Sequence, residues 1–395
     1  MAKNIKIKVF IITGEVSGDN LGARFMETLK TELKDKIEFY GVGGSQMQSK
    51  GFKSIFPIND IAVMGISEVL PKLFTIIKRI KQTIAAIKQI QPDLVLTIDS
   101  PDFCFRVMEQ VKKFDTKNKI KKVHLIAPSV WVYRPGRAKK ISKFYDLLLC
   151  VLPFEPPYFT KHGLKTVFIG HPIFDSRKEK IIINKEQFFK KHKINKNNIL
   201  LTVTPGSRIS EVKRMLPIFI SSLNILSQDI KNFTVCFLGL EKTEDIIKEI
   251  LNKHQFNKPF VILKNAKDKQ SAIVSSKLAL TKSGTNTFEF VINEKPMVIG
   301  YKFNLLTTLI GKLLVKTKVA NIINIIAKKE IIPECVIDNC YPELIAVKLK
   351  ELLQNSEIGL KQIKESKKII KQLGYGSAQS STDKGVQEIL KLLKV

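Results

Sequence analysis

Residues 277–301, KLALTKSGTNTFEFVINEKPMVIGY, place a short apolar strand, a Ser-Gly-Thr turn, a helix and a second strand in direct succession. A turn of small residues at a helix N-terminus offers unpaired backbone N–H groups and the positive end of the helix dipole, which together stabilise a diphosphate. Glu289 follows about one and a half helical turns later, where its carboxylate can accept hydrogen bonds from ribose hydroxyls. The segment therefore predicts half of a nucleotide site, with Ser283, Gly284 and Thr285 at the diphosphate. An ordinary strand-to-helix turn with a solvated Glu has the same pattern.

The same order of strand, turn and helix recurs along the whole chain. Short apolar strands alternating with helices are typical of parallel sheets built from βαβ units. In the first half, strands are predicted at 5–12, 36–41, 93–98, 121–126, 146–151 and 166–169, with helices near 18–34, 66–90, 102–115, 134–143 and 154–162. In the second half, the predicted strands are 198–204, 233–238, 260–263, 277–281 and 296–300.

Domain boundaries are indicated by a change in composition. The highly charged stretch 176–197, SRKEKIIINKEQFFKKHKINKN, separates two segments that each open with a strand and a Gly-bearing turn. We therefore predict an α/β fold of two doubly wound, Rossmann-like domains, 1–175 and 198–395, which face a central cleft and are joined by 176–197. Beyond residue 302 the pattern is mostly helical and ends in an amphipathic helix over 384–394. Ligands are expected at the carboxyl ends of the strands.

The chain carries 66 basic and 36 acidic residues, a formal charge of +30. Such a balance is typical of proteins that bind nucleic acid or an anionic membrane. Only eight of the basic residues are Arg, and base readout favours Arg, so no nucleic-acid partner is predicted. The dispersed Lys residues are also explained by a general bias toward Lys, Ile and Asn, and they would attract anionic lipid.

No pattern of metal ligands stands out in the sequence, so we predict no metal and no cofactor. The five Cys are odd in number and lack Cys-x-x-Cys spacing, which is typical of reduced thiols in a cytoplasmic protein. The five His are scattered, and no Asp-x-Asp pair could hold a divalent cation against a diphosphate. The first apolar run is too short for a signal peptide, and no apolar run reaches the length of about eighteen residues that spans a membrane. Any membrane contact is therefore predicted to be peripheral.

Ten segments, in the same order, resemble the lipid A disaccharide synthase family and cover nearly the whole chain. They are GEVSGD at 14–19, GVGGSQMQSKG at 41–51, MGISEVL at 64–70, PDLVLTIDSPDF at 92–103, PSVWVYRPGR at 128–137, LPFEPPYFTKHG at 152–163, FIGHP at 168–172, TPGSR at 204–208, SGTNTFE at 283–289 and PMVIGYK at 296–302.

The resemblance implies a glycosyltransferase of the two-Rossmann (GT-B) type that inverts the anomeric centre without a metal. Its substrates would be UDP-2,3-diacylglucosamine and 2,3-diacylglucosamine 1-phosphate (lipid X), and its products the β-1,6-linked lipid A disaccharide 1-phosphate and UDP. It also implies a cytoplasmic protein peripherally associated with the inner membrane, and it leaves a homo-oligomer open. The alternative is another two-domain UDP-sugar enzyme, such as a peptidoglycan-type glycosyltransferase or a UDP-N-acetylglucosamine epimerase. The segments within 41–70 and 92–103 favour the lipid enzyme.

Asp99 closes the strand DLVLTID, at the end where a doubly wound sheet presents residues to a cleft. Single displacement needs a general base for the acceptor hydroxyl, a role commonly worth about 10²–10⁴-fold in rate, and the resemblance assigns this role to Asp99. The alternative is that Asp99 caps the helix beginning near Pro101. His171 is the second candidate base, with hinge packing beside Pro172 as its alternative.

Arg208 ends TPGSR, where it can offer a planar positive charge to phosphate as negative charge develops on the departing UDP. An Arg in the first turn of a helix is disfavoured by the dipole, which makes a purely structural role less attractive. The resemblance assigns Glu289 to the ribose and Asn324 to the donor site, although Ile323 stands where family members usually carry proline.

The turn GEVSGD of the first domain supplies four further candidates, Glu15, Ser17, Gly18 and Asp19. Glycine there would let a sugar or phosphate approach the backbone. A capped strand-to-helix turn explains the same residues equally well.

The predicted helix 66–90 carries an apolar stripe with basic residues largely on its other faces. The stripe consists of Val69, Leu73, Ile76, Ile77, Ile80, Ile84 and Ile87. A basic amphipathic helix can lie at a membrane interface, whereas most such stripes are core faces. Residues 303–318 are a second candidate for membrane contact.

Overall fold

The computed structural model describes most of the chain, and the helix residues 66–70 by their backbone alone. The described residues are 6–62, 66–175, 183–302 and 320–395. The chain divides into two compact units. Unit 1 comprises Met1–Ser176 and Gln372–Val395, and unit 2 comprises Arg177–Lys371.

Each unit contains one parallel sheet of six strands. In unit 1 the strands are β1 (Ile7–Thr13), β2 (Ile37–Val42), β3 (Leu94–Ile98), β4 (Lys121–Leu125), β5 (Leu147–Cys150) and β6 (Lys165–Phe168). In unit 2 they are β7 (Ile199–Thr204), β8 (Phe233–Leu238), β9 (Phe260–Leu263), β10 (Leu278–Lys282), β11 (Met297–Tyr301) and β12 (Glu334–Val336). The strand orders are β2-β1-β3-β4-β5-β6 and β12-β11-β10-β7-β8-β9. The eleven predicted strands are present within a few residues of their predicted bounds, and β12 is an addition.

Helices connect the strands in both units. In chain order they are α1 (Val16–Leu33), α2 (Ser45–Gln48), α3 (Ile66–Ile90), α4 (Pro101–Phe114), α5 (Gly136–Ile141), α6 (Pro156–Thr160), α7 (Lys185–Lys191), α8 (Ile209–Asp229), α9 (Glu244–Lys253), α10 (Ala266–Ser275), α11 (Asn286–Ile292), α12 (Ile322–Ala327), α13 (Pro342–Gln354), α14 (Ser356–Gln372) and α15 (Ser381–Leu393). The alternation of parallel strands and helices confirms the predicted doubly wound α/β class in each unit.

Both faces of the unit 1 sheet are buried, which explains why its strands are continuously apolar. Phe10 and Ile12 of β1 pack in one cluster, together with residues of α4. Val9 and Ile11, which alternate with them, pack in a second cluster with Phe25 of α1. In unit 2, α8 and α13 pack against each other and cover the apolar residues on one face of the central strands.

The last helix, α15, belongs to unit 1. Its Val386 and Ile389 are buried in the cluster that contains Phe25 of α1. The Asp175 carboxylate accepts hydrogen bonds from the backbone N–H and hydroxyl groups of Ser381 and Thr382 over 2.7–2.9 Å. The predicted second domain, which ran to residue 395, differs from unit 2 in this segment, because amphipathicity shows that a helix has an apolar face but not which sheet that face covers.

The predicted linker also differs from a plain connection in its described part. Asn184 accepts a hydrogen bond from the Gln187 backbone N–H and so caps α7. Lys191, at the end of α7, forms an ion pair of 2.7 Å with Asp268 of α10. Residues 183–197 of the predicted linker therefore form part of unit 2, and 176–182 lie outside the described residues.

Candidate active site

A cavity of about 300 Å³ opens at the carboxyl ends of β7, β8 and β10, which are neighbours in the unit 2 sheet. Its lining combines backbone of two turns with apolar and charged side chains. The lining residues are Thr204, Gly206, Ser207, Leu238, Gly239, Leu240, Ala266, Lys269, Gln270, Ile273, Asn286, Glu289 and Phe290. The volume and the mixed lining are those of a small-molecule site.

The turn Ser283-Gly284-Thr285 follows β10 directly, as predicted, and leads into α11. Gly284 and Thr285 are exposed, so their backbone is accessible to a ligand. The Ser283 hydroxyl donates a hydrogen bond of 3.2 Å to the Ala320 carbonyl oxygen, which ties the turn to the segment before α12.

Glu289 lies on α11 and lines the cavity. Lys269 of α10 lines the same cavity, and burial lowers the pKa of its ammonium while the charge of Glu289 acts in the opposite direction. The cavity therefore contains one carboxylate and one ammonium group close enough to interact. Sequence reasoning identified Glu289 and missed Lys269, whose only signal is that it follows β9, at the carboxyl edge of the same sheet.

Arg208 immediately precedes α8 in extended backbone geometry, so it is not in the first helical turn. Its guanidinium Nη1 donates to Glu211 Oε1 over 3.2 Å. The other carboxylate oxygen of Glu211 accepts from the backbone N–H groups of Ser207 (3.1 Å) and Arg208 (3.4 Å). Gly206 has a φ of +142°, and a Cβ there would lie 2.6 Å from the Glu211 Cβ, so only glycine fits this loop. Glu211 therefore fixes the turn that presents Arg208.

The Asn324 side chain is buried and fully hydrogen-bonded within the protein. Its amide nitrogen donates to the Ile332 carbonyl (2.8 Å) and to Glu334 (2.6 Å), and its amide oxygen accepts from the backbone N–H groups of Ile331 (2.8 Å) and Ile332 (3.0 Å). Asn324 thus holds two chain segments together, and a direct ligand contact would have to replace one of these bonds.

In unit 1, Asp99 follows β3 with a φ of +53°, and Ser100 follows it with a φ of +46°. Two consecutive non-glycine residues in the left-handed region cost free energy and are typical of functional sites. Ser100, and not Asp99, is the N-cap of α4, so the structure does not support the capping alternative. Burial raises the pKa of the Asp99 carboxyl, and a hydrogen bond from the Ser100 backbone N–H partly offsets this. Asp99 is therefore a stronger base than an ordinary aspartate.

The GEVSGD turn packs beside Asp99 in unit 1. A Cβ on Gly14 would lie 2.0 Å from the Ser100 hydroxyl oxygen, and a Cβ on Gly18 would lie 3.5 Å from the Ile98 carbonyl oxygen. Glu15 is partly buried and Ser17 is exposed at the start of α1. The structure thus brings Glu15, Ser17 and Gly18 to the same edge of the sheet as Asp99.

Asp19 has a different environment from the rest of this turn. Its buried carboxylate accepts hydrogen bonds from the backbone N–H groups of Gly44 (2.7 Å), Gln46 (2.8 Å) and Met47 (3.2 Å). These contacts hold the first turn of α2 and the loop before it. The Asp19 side chain therefore orders neighbouring backbone, which the sequence pattern did not reveal.

His171 lies where the chain leaves β6, beside Pro172. Its Nδ1 accepts a hydrogen bond of 3.3 Å from the Ile173 backbone N–H, and its ring packs edge-on against Phe174. Burial lowers the pKa of His171 to about 4, against the opposing charge of Asp175. A neutral imidazole whose Nδ1 already accepts a hydrogen bond is a weak candidate for the general base.

The described part of the chain contains neither a cluster of metal-ligating side chains nor a membrane-spanning helix. In 6–62, 66–175, 183–302 and 320–395, no group of three or more His, Cys, Asp or Glu side chains could hold a metal ion. No helix in the part of the chain that the structure describes is long and apolar enough to cross a membrane.

Two parallel six-stranded sheets, one in each unit, give this chain the fold of the GT-B class. A Staphylococcus aureus structure described as an MnaA-UDP co-structure superposes with a TM-score of 0.62, covering 98% of this chain and 97% of that one at 14% identity.

The family model for lipid-A-disaccharide synthetase matches residues 9–389, and the chain belongs to that family. The lipid-A-disaccharide synthase of Rickettsia prowazekii (strain Madrid E) is 44% identical over 377 residues, which cover 94% of this chain and 96% of the relative. That of Rickettsia akari (strain Hartford) is 45% identical over 377 residues, covering 94% and 93%. The resemblance predicted from ten segments is confirmed.

Proposed function

We propose that this glycosyltransferase transfers 2,3-diacylglucosamine from its UDP conjugate to lipid X, forming the β-1,6-linked lipid A disaccharide 1-phosphate and UDP. The observation that carries the proposal is the family match over residues 9–389. The cavity of unit 2 supports it, since it offers a carboxylate and two Gly-bearing turns to a nucleotide. The alternative UDP-sugar enzymes share the fold with this chain, but the family match covers both units and favours the lipid enzyme.

The donor nucleotide is assigned to unit 2. The uracil base would pack against the apolar lining of the cavity, which is formed by Leu240, Ile273 and Phe290. Glu289 would accept hydrogen bonds from the ribose hydroxyls. The diphosphate would contact the 283–285 turn and Arg208. Asn324 would contribute indirectly, because its hydrogen bonds hold residues 331–332 against α12.

The role of general base is assigned to Asp99 of unit 1. In a single displacement, the acceptor hydroxyl oxygen attacks the anomeric carbon of the donor, the bond from that carbon to the diphosphate oxygen breaks, and UDP departs with the electron pair. The Asp99 carboxylate takes the hydroxyl proton, which its raised pKa favours. The positive charge of Arg208 stabilises the negative charge that develops on UDP. Glu15, Ser17 and Gly18 are proposed to line the acceptor side of unit 1.

We further propose that α3 contacts an anionic membrane surface and places the enzyme peripherally on the cytoplasmic face of the inner membrane. The stripe divides into two faces: Ile76, Ile80, Ile84 and Ile87 pack on the unit 1 core. Leu73, Phe74 and Ile77 are 37%, 87% and 39% exposed. An exposed apolar face beside Lys residues suits a lipid interface. The second candidate, 303–318, lies outside the described residues.

The reaction is tested by incubating the full chain with UDP-diacylglucosamine, with and without lipid X. We expect UDP release that depends on lipid X. Equal UDP release without an acceptor would indicate hydrolysis, and conversion of the sugar without transfer would support the epimerase alternative.

A further inference from the structure

Lys282 is the last residue of β10 and stands directly before the Ser283-Gly284-Thr285 turn. Its ammonium bends back toward the turn: a Cβ on Gly284 would lie 3.7 Å from Lys282 Cε and 3.8 Å from Nζ. The side chain is only 19% exposed, and its Nζ lies 5.4 Å from the centroid of the Tyr301 ring. This is a fixed ammonium group, unlike the many solvated Lys residues of the chain.

A single carboxylate joins Lys282 to Arg208. Glu211 Oε1 lies 3.0 Å from Lys282 Nζ and 3.2 Å from Arg208 Nη1. The Glu211 side chain is only 7% exposed, so its interaction with Lys282 is poorly screened, whereas Arg208 is 39% exposed. Glu211 therefore links the two turns, 204–208 after β7 and 283–285 after β10.

The charges of Arg208, Glu211 and Lys282 do not sum to zero. Two cations share one carboxylate, which leaves a net charge of about +1 beside the turn. Every oxygen of Glu211 already accepts hydrogen bonds from Ser207, Arg208 or Lys282. An ion pair that served packing alone would need one cation, whereas an excess positive charge at this place suits a dianionic ligand.

We propose that Lys282 is a second phosphate-binding cation of the donor site, which acts on the diphosphate together with Arg208 while Glu211 holds both in place. The inference rests on the proposed function, since it assumes that the diphosphate of UDP lies at the 283–285 turn. Arg208 supplies a planar, forked donor and Lys282 a compact point charge, and the two therefore recognise phosphate in complementary ways. A monocationic site would bind the diphosphate less tightly.

The test compares Lys282→Met with Lys277→Met in the full chain. Methionine keeps most of the apolar stem of lysine but has no charge. Lys277 is exposed and directly precedes β10 at its opposite end, so its replacement removes the same charge far from the turn. UDP and uridine are titrated into each variant by calorimetry at several salt concentrations. We expect Lys282→Met to bind UDP about 10–100-fold more weakly and with a shallower salt dependence, and to bind uridine as the wild type does.

Each other outcome contradicts the inference in a recognisable way. Wild-type affinity of Lys282→Met for UDP would show that Lys282 does not contact the diphosphate, while the proposed function would stand. An equal loss of UDP and uridine binding would make Lys282 a structural residue. An equal loss of UDP binding in Lys277→Met would show that the weaker binding of Lys282→Met results from the lower net charge of the protein alone. If the wild type bound neither UDP nor uridine, the proposed donor site itself would be wrong, and the inference with it.

Discussion

At the scale of single residues, Asp99 is distinguished by its backbone as much as by its carboxyl group. Its φ of +53° would be unremarkable in glycine but is unfavourable for aspartate, so the surrounding structure must hold it there. The same geometry turns the chain sharply between β3 and α4 and leaves the N-cap position to Ser100. Asp99 is therefore not the N-cap of α4, and its carboxyl group is left for the proposed role as general base.

Replacing Asp99 with Asn should reduce turnover by about 10²–10⁴-fold and leave UDP affinity nearly unchanged, because the amide keeps the shape but cannot take the proton. In the wild type, kcat should fall as the pH drops through the pKa of Asp99, because the base must be unprotonated. Burial places that pKa above the ordinary aspartate value of about 3.9. Steady-state kinetics across pH, with UDP titration as the control for binding, measures both. Near-normal turnover in a folded Asn variant would exclude Asp99 as the base.

Glu211 provides a residue-scale prediction about stability. Burial alone would raise the pKa of its carboxyl, but the charge and hydrogen bond of Lys282, the Ser207 N–H and Arg208 lower it overall. A carboxyl whose pKa is lower in the folded state stabilises the fold above its unfolded pKa of about 4.3, and this contribution is lost as the pH falls.

Glu211→Gln should therefore destabilise the protein by about 1–3 kcal/mol at pH 7, less than for a fully buried pair because Arg208 is partly exposed. The difference in the free energy of unfolding between this variant and the wild type should shrink below about pH 4. Urea unfolding at several pH values provides the measurement, and Glu357→Gln, at an exposed position on α14, is the matched control. A difference that stays constant down to acidic pH would contradict the role of the ion pairs.

At the scale of elements, sequence patterns predicted what depends on local order and missed what depends on tertiary partners. The alternation of apolar strands and helices gave β1 to β11, and the small residues of 283–285 gave the turn after β10. The three-residue strand β12 is too short to show a period. The hydrogen bonds of Asp19 to the 44–47 backbone, and of Asn324 to the segment after α12, join residues that no local spacing connects.

The helix α3 shows how a stripe can have two partners. Its isoleucines at 76, 80, 84 and 87 pack in the core of unit 1, as expected if the stripe is a core face. Leu73, Phe74 and Ile77 are exposed, as the membrane interpretation requires. One part of the apolar stripe therefore packs on the core, and the exposed part is left for the proposed membrane contact.

A double variant, Phe74→Gln with Ile77→Gln, should remain folded, because both side chains are exposed. Its binding to vesicles of anionic lipid should weaken most at high salt, where lysine attraction is screened over about 8 Å or less and apolar contact remains. Flotation assays and circular dichroism measure binding and folding. The control replaces Ile358 and Leu360, exposed apolar residues of α14, with Gln. Normal flotation of the folded α3 variant at high salt would remove this face as the membrane contact.

At the scale of the whole molecule, the proposed site residues are divided between the two units. Unit 2 contains the cavity, Arg208 and the turn after β10, whereas unit 1 contains Asp99 and the GEVSGD turn. The membership of α15 in unit 1 could not be predicted from sequence, because its apolar face fits either sheet until the packing against Phe25 is known. The sequence did predict both sheets and the edge of each sheet that carries the candidate residues.

We expect transfer to persist in excess chelator, because Arg208, Lys282 and the 283–285 turn should stabilise the charge on departing UDP. Activity is measured with and without the chelator, and a second assay adds magnesium. Loss of turnover on chelation, restored by magnesium, would contradict this prediction and assign the leaving-group charge to a metal ion.

By the proposed function, this chain joins two acylated glucosamine units. The most direct measurement is analysis of the product formed from UDP-2,3-diacylglucosamine and lipid X, by mass spectrometry for its composition and by nuclear magnetic resonance for its linkage. We expect a disaccharide 1-phosphate with a β-1,6 bond, formed in equal amount with UDP and about 10²–10⁴-fold more slowly by the Asp99→Asn variant. Release of UDP with no disaccharide, or a disaccharide with another linkage, would contradict it.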